Sequence, residues 1–272
     1  MEDFDHEFYT SFYPDLNNMS CGEAHRHFLT WGKMEKRVCN KKMLIDFQHK
    51  IKHKIIEEYE NLDLNKISLR EEKIINVLIR TSNRPENFKC CINSVLDQKY
   101  KNYKIFVCHD KIESLNYLNK YKDNDKIEYF PVFTESKEKY KFNLYCNQLL
   151  NKVGEGYVVF LDDDDMFCHN QVFNILNYCM DDETLIIWKF FRPDKIIYPS
   201  SMKTIHLGEI ASCGFSSNIK NYKNCEWRDK KNGDFYFLKE VLKKNQLKIK
   251  ILNKILTKTQ FFDKMCGQNN FF

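Results

Sequence analysis

The stretch that most constrains this chain is Gly156-Tyr157-Val158-Val159-Phe160-Leu161 running into Asp162-Asp163-Asp164-Asp165. Val, Tyr and Phe suit a pleated, packed surface, so the apolar part reads as a buried strand. Four carboxylates then stand at its C-terminal end, where open α/β sheets bind their ligands. Adjacent negative charges repel, and burying any one of them alone is costly. A hard divalent cation relieves that conflict, because Mg²⁺, Mn²⁺ and Ca²⁺ take oxygen ligands. If the extended geometry persists, Asp162 and Asp164 face one way and Asp163 and Asp165 the other. The plain alternative is a solvated acidic turn, and the strand in front of it argues against that.

The preceding residues repeat the pattern. Ile74 to Ile79 reads as a strand followed by the polar turn Arg80-Thr81-Ser82-Asn83-Arg84-Pro85. A helix over 86–96 leads to a strand over Tyr103–Cys108, which ends in His109-Asp110. Strand–helix–strand order predicts a parallel pair with a crossover helix. A short strand over 127–133 and a helix over 139–152 complete the approach to the Asp run. Three successive strand ends therefore carry polar groups, the layout of a nucleotide site. Neither Gly-x-Gly-x-x-Gly nor Gly-x-x-x-x-Gly-Lys-Ser/Thr occurs, so dinucleotide and P-loop readings lack their phosphate cradles. Carboxylates and a cation would hold a diphosphate instead.

Composition narrows the classes. A hydrophobic fraction of 43% over 272 residues supports a large core and excludes a disordered chain. A net charge of +5 is too small and too dispersed for a dedicated nucleic-acid binder. The 11 cysteines include no Cys-x-x-Cys pair and follow no signal-like segment. Reduced thiols and a cytoplasmic protein are expected. No apolar run approaches a membrane span.

Residues 1–40 read as a small helical module, with Phe4, Phe8, Tyr9, Phe12 and Tyr13 at helical spacing. "FDHEFYTSFYPDL" and "AHRHFLTWGKMEKR" resemble a short helical module attached to bacterial glycosyltransferases. His25 and His27 read as packing or surface residues. A charged linker helix follows within 41–72, with Leu44, Phe47, Ile51, Ile55 and Tyr59 on one face. The main domain is 73–272.

Over residues 73 to 240 the chain resembles a family 2-type glycosyltransferase of the GT-A fold. The resemblance runs through "VLIRTSNRPENFKCCINSVLDQKYKNYKIFVCHD", "KYKFNLYCNQLLNKVGEGYVVFLDDDD" and "NGDFYF", in that order. It implies an α/β fold with a mostly parallel central sheet flanked by helices, and a small N-terminal helical extension. It also implies site residues. Thr81, Arg84, Asp110, Lys141 and Asp163 fall at the nucleotide, with Asp163 at the ribose. Asp164 is the carboxylate of a Mn²⁺ or Mg²⁺ ion on the diphosphate, supported by Asp162 and Asp165. Asp234 falls where the family places its catalytic base, with Glu226 and Asp229 as rivals. The chain departs from the family pattern at Arg80 (usually proline), Ser82 (usually aromatic) and His109 (usually aspartate).

The bland readings stand beside these. Thr81 and Asn83 could be turn and cap residues. Asp110 could be a loop carboxylate, and Asp234 an ordinary helix-start residue. Trp227 could be an acceptor platform or a core aromatic. Asn143 and Asn147 read as structural polar groups. The expected function is metal-dependent inverting transfer of a sugar, from a UDP-sugar, to a hydroxyl of a glycan or protein. A nucleotidyltransferase and a non-catalytic nucleotide- or glycan-binding protein are the alternatives.

Overall fold

The computed structural model describes residues 3–35, 37–60, 71–192 and 197–259. Helices α1 (His6–Phe12), α2 (Cys21–His27) and α3 (Lys41–Glu60) come first. Asp5 caps α1 by accepting the Phe8 N–H at 2.9 Å, and Ser20 with Glu23 forms a capping box on α2. Tyr9, Phe12, Tyr13, Phe28 and Leu44 share a core of their own. His25 stacks on Phe4 with ring centroids 4.8 Å apart, and His27 Nδ1 meets the Tyr9 hydroxyl at 3.1 Å. Both histidines are therefore packing residues. At its far end α3 buries Ile55 against Cys168, Phe191 and Ile255.

The main body alternates β1 (Ile75–Thr81), α4 (Pro85–Leu96), β2 (Tyr103–His109), α5 (Leu115–Leu118) and β3 (Ile127–Pro131). Then come α6 (Tyr145–Leu150), β4 (Tyr157–Asp162), β5 (Met166–Phe167), α7 (Val172–Cys179) and β6 (Thr184–Phe191). The last elements are β7 (Phe215–Asn218), α8 (Gly233–Lys244) and β8 (Lys248–Lys258). Eight strands form one sheet in the order β3-β2-β1-β4-β7-β6-β8-β5. The pairings β1/β2, β1/β4, β2/β3 and β6/β8 are parallel. Strand β7 runs antiparallel to both neighbours, so β6 points the same way as β4.

Alternation along β4 explains why it is apolar throughout. Tyr157, Val159 and Leu161 enter the core on one face of the sheet, and Val158 and Phe160 the core on the other. Gly156 starts the strand at φ +90°, where a Cβ would press on the Ile74 carbonyl.

Several expected bounds change. The helix expected over 139–152 is a 3₁₀ turn (Lys141–Leu144) followed by the short α6. The final helix begins at Gly233, so Asp234 lies in its first turn. The lysine-rich C-terminal segments are one strand, β8, which pairs with β6 on one side and, only at Thr257 and Lys258, with the two-residue β5 on the other. Lys248, Ile249, Lys250 and Asn253 are exposed, and Lys258 is buried. Ten cysteines lie among the described residues, and none of them forms a disulfide there.

Candidate active site

A cleft of about 380 Å³ opens at the C-terminal edge of the sheet. Its lining comes from the ends of five strands that point the same way. Arg80, Thr81, Ser82 and Arg84 close β1, Asp110 follows β2, and Asp162, Asp164 and Asp165 close β4. Arg192 follows β6 and Thr259 follows β8. Ile210, Ala211 and Ser212, just before β7, and Asp234 on α8 complete the wall. Parallel strands bring chemically rich loops together at this edge because each crossover returns the chain to the opposite one.

The Asp run does not continue as a strand. The chain turns at Asp163–Asp164, and the Asp165 N–H donates to the Asp162 carbonyl at 2.9 Å. The four carboxylates therefore separate. Asp162 accepts a bidentate fork from Arg80, Nε at 2.7 Å and Nη2 at 2.5 Å. The Ser212 hydroxyl adds a bond at 3.3 Å. Asp163 is 0% exposed. It accepts from the Thr81 hydroxyl at 2.7 Å, from Arg84 Nε at 3.1 Å and from Arg84 Nη2. Burial pushes the Asp163 carboxyl up, against the pull of the Arg84 charge and the Thr81 hydroxyl. Asp164 meets Arg84 Nη1 at 3.2 Å and keeps surface on the cleft. Asp165 is nearly buried and is hydrogen-bonded by the Cys213 thiol.

These placements redistribute the expected roles. Asp163 lies behind the cleft wall, not on it, so its carboxylate braces Thr81 and Arg84. Thr81 is the last residue of β1, buried and shared between Asp163 and the Tyr117 hydroxyl at 2.7 Å. Asp110 is exposed on the cleft and meets the Tyr145 hydroxyl at 3.4 Å. Lys141 is exposed and outside the cleft lining, where its neighbour Phe142 stands instead. His109 is buried, with Nδ1 2.9 Å from the Lys111 carbonyl.

Asp234 faces the cleft from the first turn of α8, and its carboxylate accepts the Phe235 N–H at 2.8 Å. Burial pushes it up to about 6 and the charge of Asp162 adds to this, while Arg80 and Arg192 pull it down. A carboxylate so tuned is a strong enough base to accept a hydroxyl proton near neutral pH. Neither rival lines the cleft. Glu226 is exposed elsewhere, and Asp229 accepts from the Ser136 hydroxyl at 2.6 Å. Trp227 is no platform. It is buried, stacked on Phe237 at 4.6 Å and edge-on to Phe160 at 5.0 Å.

Arg192 and Tyr145 are cleft residues that sequence reasoning misses. Arg192 ends the apolar strand Thr184–Phe191, the same signature that marks the other strand ends.

The chain's similarities fit this architecture. Over 158 residues it is 24% identical to WfgD of Escherichia coli, a UDP-Glc:alpha-D-GlcNAc-diphosphoundecaprenol beta-1,3-glucosyltransferase. That match covers 51% of this chain and 58% of WfgD. The crystal structure of S. aureus TarS superposes with a TM-score of 0.57 at 17% identity, over 70% of this chain and 62% of that one. TarS has also been solved with UDP-GlcNAc and with UDP. The mannosyltransferase PcManGT from Pyrobaculum calidifontis, solved with GDP-Man and Mn²⁺, gives 0.55 at 8% identity. That match covers 82% of this chain and 67% of PcManGT. The chain thus spans under two thirds of WfgD and of that TarS chain, and the fold is the GT-A fold. Among the described residues no helix is long and apolar enough to cross a membrane. Residues 76–255 match the model of glycosyl transferase family 2, and the chain belongs to that family.

Proposed function

We propose that this protein transfers a sugar from a UDP-sugar to a hydroxyl of a glycan or protein acceptor, with inversion at the anomeric carbon. The observation that carries this reading is the opposition of Asp162 and Asp164 to Asp234 in one cleft. The nucleotide is assigned to the β1–β2 side, with Asp110 at the base and Asp162 in the ribose role first given to Asp163. Arg84 braces Asp163 and Asp164 so that the second keeps its face to the cleft.

The donor set suits a cation that arrives with its substrate. Among the described residues no three His, Cys, Asp or Glu side chains are grouped for a metal. Both oxygens of Asp162 already accept from Arg80. Asp164 would be the principal protein ligand, and phosphate oxygens and water would supply the rest, a common arrangement for Mg²⁺ and Mn²⁺. A bound cation would offset charge on the departing diphosphate. Asp234 takes the proton from the acceptor hydroxyl as that oxygen attacks the anomeric carbon from the face opposite the diphosphate.

A thermal-shift series with UDP-Glc, UDP-GlcNAc and GDP-Man, each with and without Mn²⁺, tests the donor class. One UDP-sugar with Mn²⁺ is expected to stabilise the protein by about 2.7 kcal/mol at a hundredfold excess over Kd. For a chain this size that is about 5–11 °C in Tm. Asp164→Asn is expected to remove the Mn²⁺-dependent part of the shift. Turnover that releases pyrophosphate in place of UDP would sink the transferase reading and favour nucleotidyl transfer. Binding without turnover over a wide acceptor panel would favour a non-catalytic binder.

A further inference from the structure

Asp162 and Asp234 stand on different elements, yet hydrogen bonds run from Asp162 to the loop that leads into Asp234. Arg80 and Asp162 are register partners on the adjacent parallel strands β1 and β4. Two guanidinium nitrogens fork the carboxylate, and the third points away from it. Nη1 donates to the Phe142 carbonyl at 2.9 Å and to Asn143 Oδ1 at 3.4 Å. The Phe142 ring lies 5.2 Å from the guanidinium carbon. Asn143 is 6% exposed and carries the chain onward. Its Nδ2 donates to the carbonyls of Arg228 at 3.2 Å and Lys230 at 3.0 Å. Those residues lead into Asn232, whose left-handed backbone (φ 57°, ψ 41°) launches α8 two residues before Asp234.

Gly233 closes the contact from the other side. A Cβ there would overlap Nδ2 and Cγ of Asn143. The glycine is required by close approach, not by a left-handed φ, since its φ is not positive.

We infer that Asn143, fastened by Arg80, is a positioning residue that sets the Asp234 carboxylate relative to Asp162. Asn143 itself is outside the cleft lining, so it acts through the loop it holds. The relay rests on the transferase reading above, and the test separates the two.

The variants are Asn143→Ala, Gly233→Ala and the double mutant, with Asp234→Asn as control. The readouts are UDP release from UDP-Glc or UDP-GlcNAc, and calorimetric affinity for UDP with Mn²⁺. Each single variant is expected to lower kcat by about 10–100-fold, the penalty of roughly ångström misplacement of a reacting group. UDP affinity is expected to hold within about twofold, and the double mutant to be no worse than the poorer single, as for residues sharing one contact. Gly233→Ala is the stricter arm: its Cβ would press on Asn143, so a merely structural role predicts a lower Tm with wild-type kcat well below the melt, whereas the relay predicts the loss of kcat as well. Wild-type kcat in Gly233→Ala or Asn143→Ala beside an inactive Asp234→Asn overturns the relay and spares the transferase reading. Full activity in Asp234→Asn removes the base assignment and the relay with it. A loss confined to UDP affinity also overturns the relay.

Discussion

Asp234→Asn is expected to cut turnover by about 10²–10⁴-fold, the usual share of general-base catalysis, with UDP affinity little changed. Asparagine keeps the shape and can still accept the Phe235 N–H, so the loss isolates proton transfer. The wild-type rate is expected to climb as pH rises through about 6, where burial and the charge of Asp162 have placed the carboxyl, and to level off above. Stability carries the opposite sign. The folded value near 6 lies above the ordinary carboxylate value, so the protonated form is the one the fold favours. That contribution is full below about pH 4 and is lost as pH rises through about 6. Asp234→Asn should therefore match the wild type in Tm near pH 4 and exceed it at pH 8. Equal turnover in the two proteins, or a variant less stable at pH 8, would remove Asp234 from the role.

Trp227→Ala is expected to cost about 3–5 kcal/mol, the range for deleting a buried large aromatic. At about 2–4 °C per kcal/mol the loss in Tm is roughly 6–20 °C. The indole stacks on Phe237 at a 15° interplanar angle and forms one wall of the core behind the cleft. Its Nε1 is buried with no hydrogen-bond partner among the described residues, so Trp227→Phe removes that donor and should cost much less than alanine. Thermal melts of the two variants decide it. If Trp227→Ala melted like the wild type and lost only acceptor affinity, the side chain would be a platform after all.

Much of this site can be read from residue order, and the misreadings have physical causes. Strands β1, β2 and β4 are legible because both faces of each are buried, which forces unbroken apolar runs ending abruptly in polar groups. Thr184–Phe191 obeys the same rule, yet the loop-rich region after it hides its polar terminus, Arg192. The extended course supposed for the four aspartates ends at Asp163: Asp162 and Asp164 do share the cleft with Asp163 behind it, but Asp165 joins the cleft lining too. At Asp163, Arg84 and Thr81 supply enough bonds to bury a carboxylate, and the chain turns to reach them. Lys141 stands in a 3₁₀ turn, and there Phe142 lines the cleft while Lys141 does not. Arg80 is visible in the sequence only as a departure from a family pattern. Its partner emerges from strand register, which residue order does not state.

Strand β5 follows the Asp run after a single turn, yet its ladder partner is the far end of β8, with Met166 opposite Lys258 and Phe167 opposite Thr257. During synthesis the chain passes this point roughly 90 residues before that partner exists, a delay of several seconds at ordinary elongation rates. The loop that launches α8 is likewise fastened to Asn143 and Asn147 across 85 and 80 residues, by the 3.2 Å bond to the Arg228 carbonyl and the 3.0 Å bond to the Trp227 carbonyl. A nascent chain therefore holds its acidic run and the polar ends of β1 and β2 well before it holds Asp234, the proposed base, or a finished sheet. The cleft is completed last, by residues late in this sequence.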